Sequence, residues 1–306
     1  MNIVDGNSFL ECFKDELKGL IHLAKTESII TDENVYQEKD EKILDIITDL
    51  MKTLVLPGTG LSGEENLAEF LNMVQSGKRG LILMEHYSNF DLPGFVHCLN
   101  NSTNPCGPEI ANRLVAIAGM KLNEDNPYIN ACTAAFSRIV IYPSRSLAAI
   151  TDEAKLAEEQ ERSRKFNMAA MRALDKIRRK GDILLVFPSG TRYRPGKPET
   201  KRGLPEIDSY LRMFDIMLLV SINGNVLRIS DNPADMSADV IYRDVLRYSV
   251  GPVINCRDFR DNAQHGLEEK DVKKQATADK IMAELEKLHT AEEPNYEKLY
   301  SAAKNA

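Results

Sequence analysis

Short apolar runs of strand length recur along this chain, separated by stretches long enough for helices. GLILME (80–85), RLVAIAG (113–119), SRIVIYP (137–143), DILLVFP (182–188) and DIMLLVSING (215–224) are each too continuously apolar for a strand with one face in water. NVLRIS (225–230) is a further candidate strand. Helical segments lie between several of these runs, the longest from Asp152 to Gly181. This alternation predicts an α/β fold: a mixed, mostly parallel sheet flanked by helices, with both faces covered.

The remaining segments place the boundaries. Residues 7–25 and 38–56 read as helices, the second carrying Ile43, Leu44, Ile47, Leu50 and Leu54 on one broad apolar face. LPGTGLSG (56–63) is a Gly/Pro break, and the helix that follows from Glu65 stops at Gly77. We therefore expect a small N-terminal helical domain over residues 1–64 and an α/β domain over 65–306. A charged helix is expected over 268–290.

Composition excludes several classes. The net charge of −7 argues against a general nucleic-acid binder. The five cysteines (Cys12, Cys98, Cys106, Cys132 and Cys256) are odd in number and form no CxxC pair, so reduced thiols in the cytoplasm are expected rather than a disulfide framework. No HExxH spacing occurs, and no metal is expected. The acidic, amphipathic N-terminus is unlike a signal or transit peptide. No apolar run approaches the roughly 20 residues of a spanning helix, so the protein should be soluble, or at most peripheral to a membrane.

Chemistry-bearing residues cluster where the apolar runs end. His86 follows GLILME and precedes Asp91 by five positions, with Leu92-Pro93-Gly94 after it. The loops after strands of α/β sheets carry ligand sites, and a turn of this length can return the carboxylate to the imidazole. Such a couple fixes the tautomer and leaves the other ring nitrogen to take a proton from a hydroxyl. The plainer alternative is that Asp91 caps a helix and His86 merely ends a strand.

Downstream, DILLVFP runs into Ser189-Gly190 and then presents Arg192, Arg194, Lys197, Lys201 and Arg202. Two guanidinium forks two residues apart suit the oxygens of one phosphate, whereas a solvated basic loop is the ordinary reading of such a run. Arg145, at the C-terminal end of SRIVIYP, would project toward the same rim in a parallel sheet, while Arg138 begins that run. The helix from Arg162 to Lys180, including Arg178 and Arg179, is locally basic enough to dock an acidic partner or an anionic membrane surface, or is simply solvated. Ser189 lacks the first glycine of a G-x-S-x-G elbow and is a poor nucleophile candidate.

His86-Tyr87-Ser88-Asn89-Phe90-Asp91 followed by Phe187-Pro188-Ser189-Gly190-Thr191-Arg192 resembles the glycerolipid acyltransferase family, whose members carry an H-x4-D motif and a downstream F-P-E-G-T-R block. The likeness is closest to its soluble, chloroplast-type glycerol-3-phosphate 1-O-acyltransferases, which have P-S-G-G-R-x-R-P where this chain has PSGTRYRP; it covers residues from about 70 to 230. The resemblance implies that His86 is a general base and Asp91 its orienter. It further implies that Arg192, Arg194 and Arg145 hold the phosphate of glycerol 3-phosphate, and that Gly190 lets backbone approach the substrate. The acyl donor implied is acyl carrier protein or acyl-coenzyme A, with no other cofactor. Because such carriers are strongly acidic, Arg178 and Arg179 are candidates for donor docking. Two alternatives stay open: acylation of lysophosphatidate at sn-2, and phosphate-ligand binding or hydrolysis without acyl transfer. The chain departs from the family in three places. Ser189 stands for a glutamate, Pro143-Ser144-Arg145-Ser146 stands for a Lys/His-rich stretch, and IMLLVSING lacks a central proline.

Overall fold

In the computed structural model, residues 4–24, 30–120, 122, 127–143, 147, 150–230 and 236–305 are described. The apolar runs form the centre of one sheet. In chain order the strands are β1 (Tyr36–Gln37), β2 (Gly60–Ser62), β3 (Gly80–Met84), β4 (Leu114–Gly119), β5 (Arg138–Ile141), β6 (Ile183–Val186), β7 (Ile216–Asn223), β8 (Leu227–Arg228), β9 (Val240–Ile241), β10 (Arg247–Val250) and β11 (Ile254–Asn255). Their order across the main sheet is β1-β5-β4-β6-β3-β7-β10-β2, with β11 pairing β7 off this path. β5, β4, β6, β3 and β7 are mutually parallel; β1 runs against β5, and β10 and β11 run against β7, while the edge strand β2 lies parallel to β10. β8 and β9 form a separate antiparallel pair. The expected class, a mostly parallel sheet flanked by helices, is the one observed.

Why the central runs are apolar throughout is visible in β3, where every residue is buried. Successive side chains point to opposite faces. Ile82 and Met84 join one core with Ile183, Leu185, Leu218 and Val220, whereas Leu81 and Leu83 join a second with Leu184, Val186, Met217 and Leu219. Each fully buried aliphatic side chain contributes ~1.5–3 kcal/mol of transfer free energy, so neither face tolerates a polar substitution.

The first core is closed by the helices Lys14–Leu23, Glu41–Leu54, Glu65–Gln75 and Asp91–Asn100; Leu17, Ile43, Ile47, Phe70 and Phe95 lie in it. The N-terminal span is thus not helical alone. β1 and β2 extend the main sheet at its two edges, and both are too short to leave a periodic signal.

The second core is closed by the helices Glu153–Lys180 and Lys270–Lys304, through Phe166, Leu174, Ile177, Ile281 and Leu285. Asp152 caps the first of these, accepting from the Lys155 amide, and Gly181 ends it at φ +80°, a left-handed conformation that glycine adopts without strain. Arg178, Arg179 and Lys180 fill its last turn, where cations meet the negative end of the helix dipole. The C-terminal helix runs well beyond the expected 268–290. Among the described residues, no helix is long and apolar enough to cross a membrane.

Candidate active site

The parallel strands β3 and β6 pair in register, Leu83 beside Val186, so the segments leaving them start side by side at one rim of the sheet. From β3 comes Glu85, then His86; from β6 comes Phe187, then Pro188-Ser189-Gly190. The His86 and Phe187 rings stack, with centroids 3.9 Å apart and planes 16° from parallel. A second tie joins the loops through the backbone, the Tyr193 amide donating to the His86 carbonyl at 2.8 Å. These contacts fix the plane of the imidazole and set the Arg192–Arg194 segment beside it.

The His86 and Asp91 side chains meet. His86 Nδ1 lies 2.9 Å from Asp91 Oδ2, and both groups are largely enclosed, the imidazole 16% and the carboxylate 5% exposed. The same oxygen accepts from the amides of Tyr87 at 2.6 Å and Ser88 at 2.8 Å. The alternative in which Asp91 caps the helix is not what the structure shows. Phe90 is the capping residue without a side-chain bond, and Asp91 is the first residue of the helix. Its carboxylate turns back onto the loop, where two backbone N–H groups and an imidazole compete for it. With Asp91 ionised, Nδ1 carries the proton and donates, which leaves Nε2 as the ring's acceptor.

Tight packing holds the helix start beneath this couple. The buried Tyr248 hydroxyl of β10 donates to the Asp91 carbonyl at 2.9 Å. Burial, reinforced by the nearby Asp91 carboxylate, pushes that phenol well above its ordinary pKa, so it stays a donor. Gly94 makes room for it: a Cβ there would lie 2.2 Å from the Tyr248 oxygen.

The arginine loop divides its charges. Arg192 is buried, 7% exposed, and ion-pairs with the fully enclosed Asp239. Arg194 is half-buried, and its Nε is enclosed without a hydrogen-bond partner among the described residues. Lys201 pairs with Glu286, while Lys197 and Arg202 are exposed. Gly190 is exposed at φ +61°, a left-handed conformation that favours glycine, and a Cβ there would also push on the end of the Leu204 side chain at 2.4 Å. The Ser189 hydroxyl donates to the Thr191 carbonyl at 2.7 Å, a turn-stabilising role. Arg145 lies outside the described residues.

Arg178 and Arg179 are not brought to this rim. They close the helix that feeds the start of β6, one strand length, or about 13 Å at ~3.3 Å per residue, from the end at which Phe187 meets His86. Arg178 bonds the Met213 carbonyl and Asp175 and is 18% exposed, whereas Arg179 is 82% exposed. Both line a cleft of about 580 Å³ with Lys78, Arg79 and Lys180. A neighbouring cleft of about 490 Å³ also opens toward the strand starts, and neither is lined by His86.

Sequence reasoning passed over Glu85, Tyr87, Asp239, Tyr248 and His289. Only Glu85 left a local mark, as a carboxylate at the end of a run otherwise buried on both faces. Asp239, Tyr248 and His289 reach the site from segments distant in sequence, and no spacing rule connects them to it.

A histidine–carboxylate couple where parallel strands end, beside a cationic loop, has the geometry with which an imidazole can accept a proton from a hydroxyl. Comparison with protein families agrees: the Acyltransferase family model matches residues 61–216, about half of the chain, and the chain belongs to that family. A search of curated proteins finds no match.

Proposed function

We propose that this acyltransferase moves a fatty acyl group from an acyl thioester, of acyl carrier protein or coenzyme A, to the sn-1 hydroxyl of glycerol 3-phosphate. The observation that carries the reading is the joining of two loops, His86 held by Asp91 at 2.9 Å and the Arg192–Arg194 segment tied to the His86 carbonyl at 2.8 Å. A base and an anion-binding segment so connected fit an acceptor whose hydroxyl and phosphate lie a few bonds apart. Orientation of that kind can supply much of a barrier reduction.

In this scheme Nε2 of His86 accepts the proton of the acceptor hydroxyl as its oxygen attacks the thioester carbonyl. The C–O bond forms, the C–S bond breaks, and the departing thiolate takes the proton back from the imidazolium. Asp91 stabilises that imidazolium through Nδ1 and keeps the ring in one tautomer. Arg194 supplies the phosphate with an enclosed N–H that lacks a partner among the described residues. Arg192 supplies a guanidinium steered by Asp239, Arg145 a further cation, and Gly190 an uncrowded approach to the backbone. The exposed cations near Arg179 remain the surface at which an acidic carrier would dock.

A panel of acceptors tests this. The purified chain is incubated with acyl carrier protein and coenzyme A thioesters and either labelled glycerol 3-phosphate or lysophosphatidate. Lysophosphatidate formed from glycerol 3-phosphate supports the reading. Phosphatidate from lysophosphatidate alone moves the assignment to sn-2 acylation, and free fatty acid alone moves it to hydrolysis.

A further inference from the structure

One buried carboxylate has no part in the transfer chemistry. Glu85 immediately precedes His86 and is 3% exposed, yet its side chain points into the protein. It accepts from the Ile222 amide of β7 at 2.9 Å and from the Tyr87 hydroxyl at 3.1 Å, and lies 2.9 Å from Nδ1 of His289. His289 belongs to the Lys270–Lys304 helix, outside the residues matched by the family model. An unpaired carboxylate in such a place is costly, and an imidazolium partner offsets the cost.

Tyr87 connects this pair to the base. Its hydroxyl donates to Glu85, while its amide donates to Asp91 Oδ2 at 2.6 Å. One residue therefore links two carboxylates, one of which orients His86. We propose that Glu85 and His289 are positioning residues for His86, an ion pair that clamps the motif loop through Tyr87 and holds only while His289 keeps its proton.

The surroundings of His289 agree. Burial disfavours its protonated form, but the hydrogen bond and charge of Glu85, aided by Glu293, outweigh burial and the opposing Lys201, so its pKa is raised above the ordinary imidazole value. Glu293 Oε2 lies 3.6 Å from Nε2, Asn223 of β7 bonds the His289 carbonyl at 3.1 Å, and Glu286 and Tyr87 complete the polar groups facing it. A group whose folded pKa is raised contributes fully below its unfolded value and loses that contribution as pH rises through the folded one. The clamp therefore fails on the alkaline side.

The kinetic half of the test rests on the proposed acyl transfer; the spectroscopic half does not. Full-length wild type, His289→Gln, Glu85→Gln and the double variant are compared by pH–rate profile and by NMR of the histidine ring protons. His289→Gln should lower kcat about tenfold, the scale of one charge-assisted hydrogen bond, with KM for both substrates within about twofold and the alkaline fall-off abolished. The neutral double variant should lose less than the two single losses combined, because no charge is left unpaired. By NMR, His289 should titrate above the free imidazole value, and the Nδ1 proton of His86 should exchange faster in His289→Gln. A His289 that titrates at or below the free value, or a His86 Nδ1 proton unaffected by His289→Gln, overturns the clamp. So do an unchanged kcat and an unchanged alkaline limb in a folded variant. If the wild-type chain transfers no acyl group, the proposed function fails and the two NMR results alone decide the clamp.

Discussion

Replacing Asp91 by asparagine removes one charge and keeps the shape. An asparagine oxygen turned toward the loop can still accept from the Tyr87 and Ser88 amides that now bond Oδ2 at 2.6 and 2.8 Å. What is lost is the negative charge 2.9 Å from Nδ1 of His86 as the imidazolium develops. Two estimates bracket the loss. A hydrogen bond to a charged group is worth ~1.5–3 kcal/mol against ~1 kcal/mol for a neutral one. Two unit charges 4 Å apart at an effective dielectric of 20 attract by ~4 kcal/mol, and this couple is mostly enclosed. A value of about 3 kcal/mol corresponds to roughly a hundredfold loss in kcat. Because Asp91 is not proposed to touch either substrate, both KM values should stay within about threefold of wild type, less than ~0.7 kcal/mol. Initial rates at saturating acyl thioester and acceptor, together with a thermal melt, measure both quantities. A folded Asp91→Asn enzyme with kcat within about threefold of wild type refutes the idea that Asp91 orients and stabilises the base.

The arginine loop separates binding from stability. Arg194→Ala should raise KM for glycerol 3-phosphate at least tenfold with little change in the melt, whereas Arg192→Ala should also cost about 3 kcal/mol in urea unfolding by removing the guanidinium that balances the charge of the buried Asp239. Equal stabilities of the two variants contradict that division. Gly94→Ala forces a methyl group to within 2.2 Å of the Tyr248 hydroxyl and should destabilise by ~1–3 kcal/mol, visible as a lowered Tm; an unchanged Tm is evidence against this packing. The Arg79 hydrogen bond is the main cause that holds the Asp215 pKa down at about 2. A depressed carboxylate stabilises above its unfolded pKa of about 4 and loses that effect as pH falls toward 2. Unfolding midpoints of Arg79→Ala and wild type should therefore differ above about pH 4 and converge below about pH 2.

The parts of the fold legible in the sequence were those that leave a local signal. GLILM and the ILLVFP that follows Asp182 are apolar throughout because both of their faces are covered, and runs of this kind alternating with helices implied a parallel sheet between helices. β1 and β2 carry no such mark: two- and three-residue edge strands are set by the strands they pair with, β5 and β10, rather than by their own periodicity. The site divided in the same way. His86 and Asp91 share one turn, so their offset already allowed a hydrogen bond. A helix cap at Asp91 nonetheless stayed open as the plainer alternative, since spacing does not tell whether a helix-start carboxylate faces its own helix or the loop before it. For Arg192, the run of basic residues indicated a charged loop but not that Asp239, well downstream, takes up one guanidinium. Glu85 and His289 meet only because the C-terminal helix crosses β7, a tertiary contact that composition does not encode.

The central claim is that His86 is the base of an acyl transfer to glycerol 3-phosphate. Its most direct test is product formation from an acyl thioester and labelled glycerol 3-phosphate by wild-type protein and by His86→Ala, at equal concentration and with matched thermal melts. We expect lysophosphatidate from the wild type and a loss of at least about a hundredfold in kcat for the variant, the lower end of what general-base catalysis contributes. Lysophosphatidate formed by folded His86→Ala at the wild-type rate, or none formed by either protein, would contradict the account.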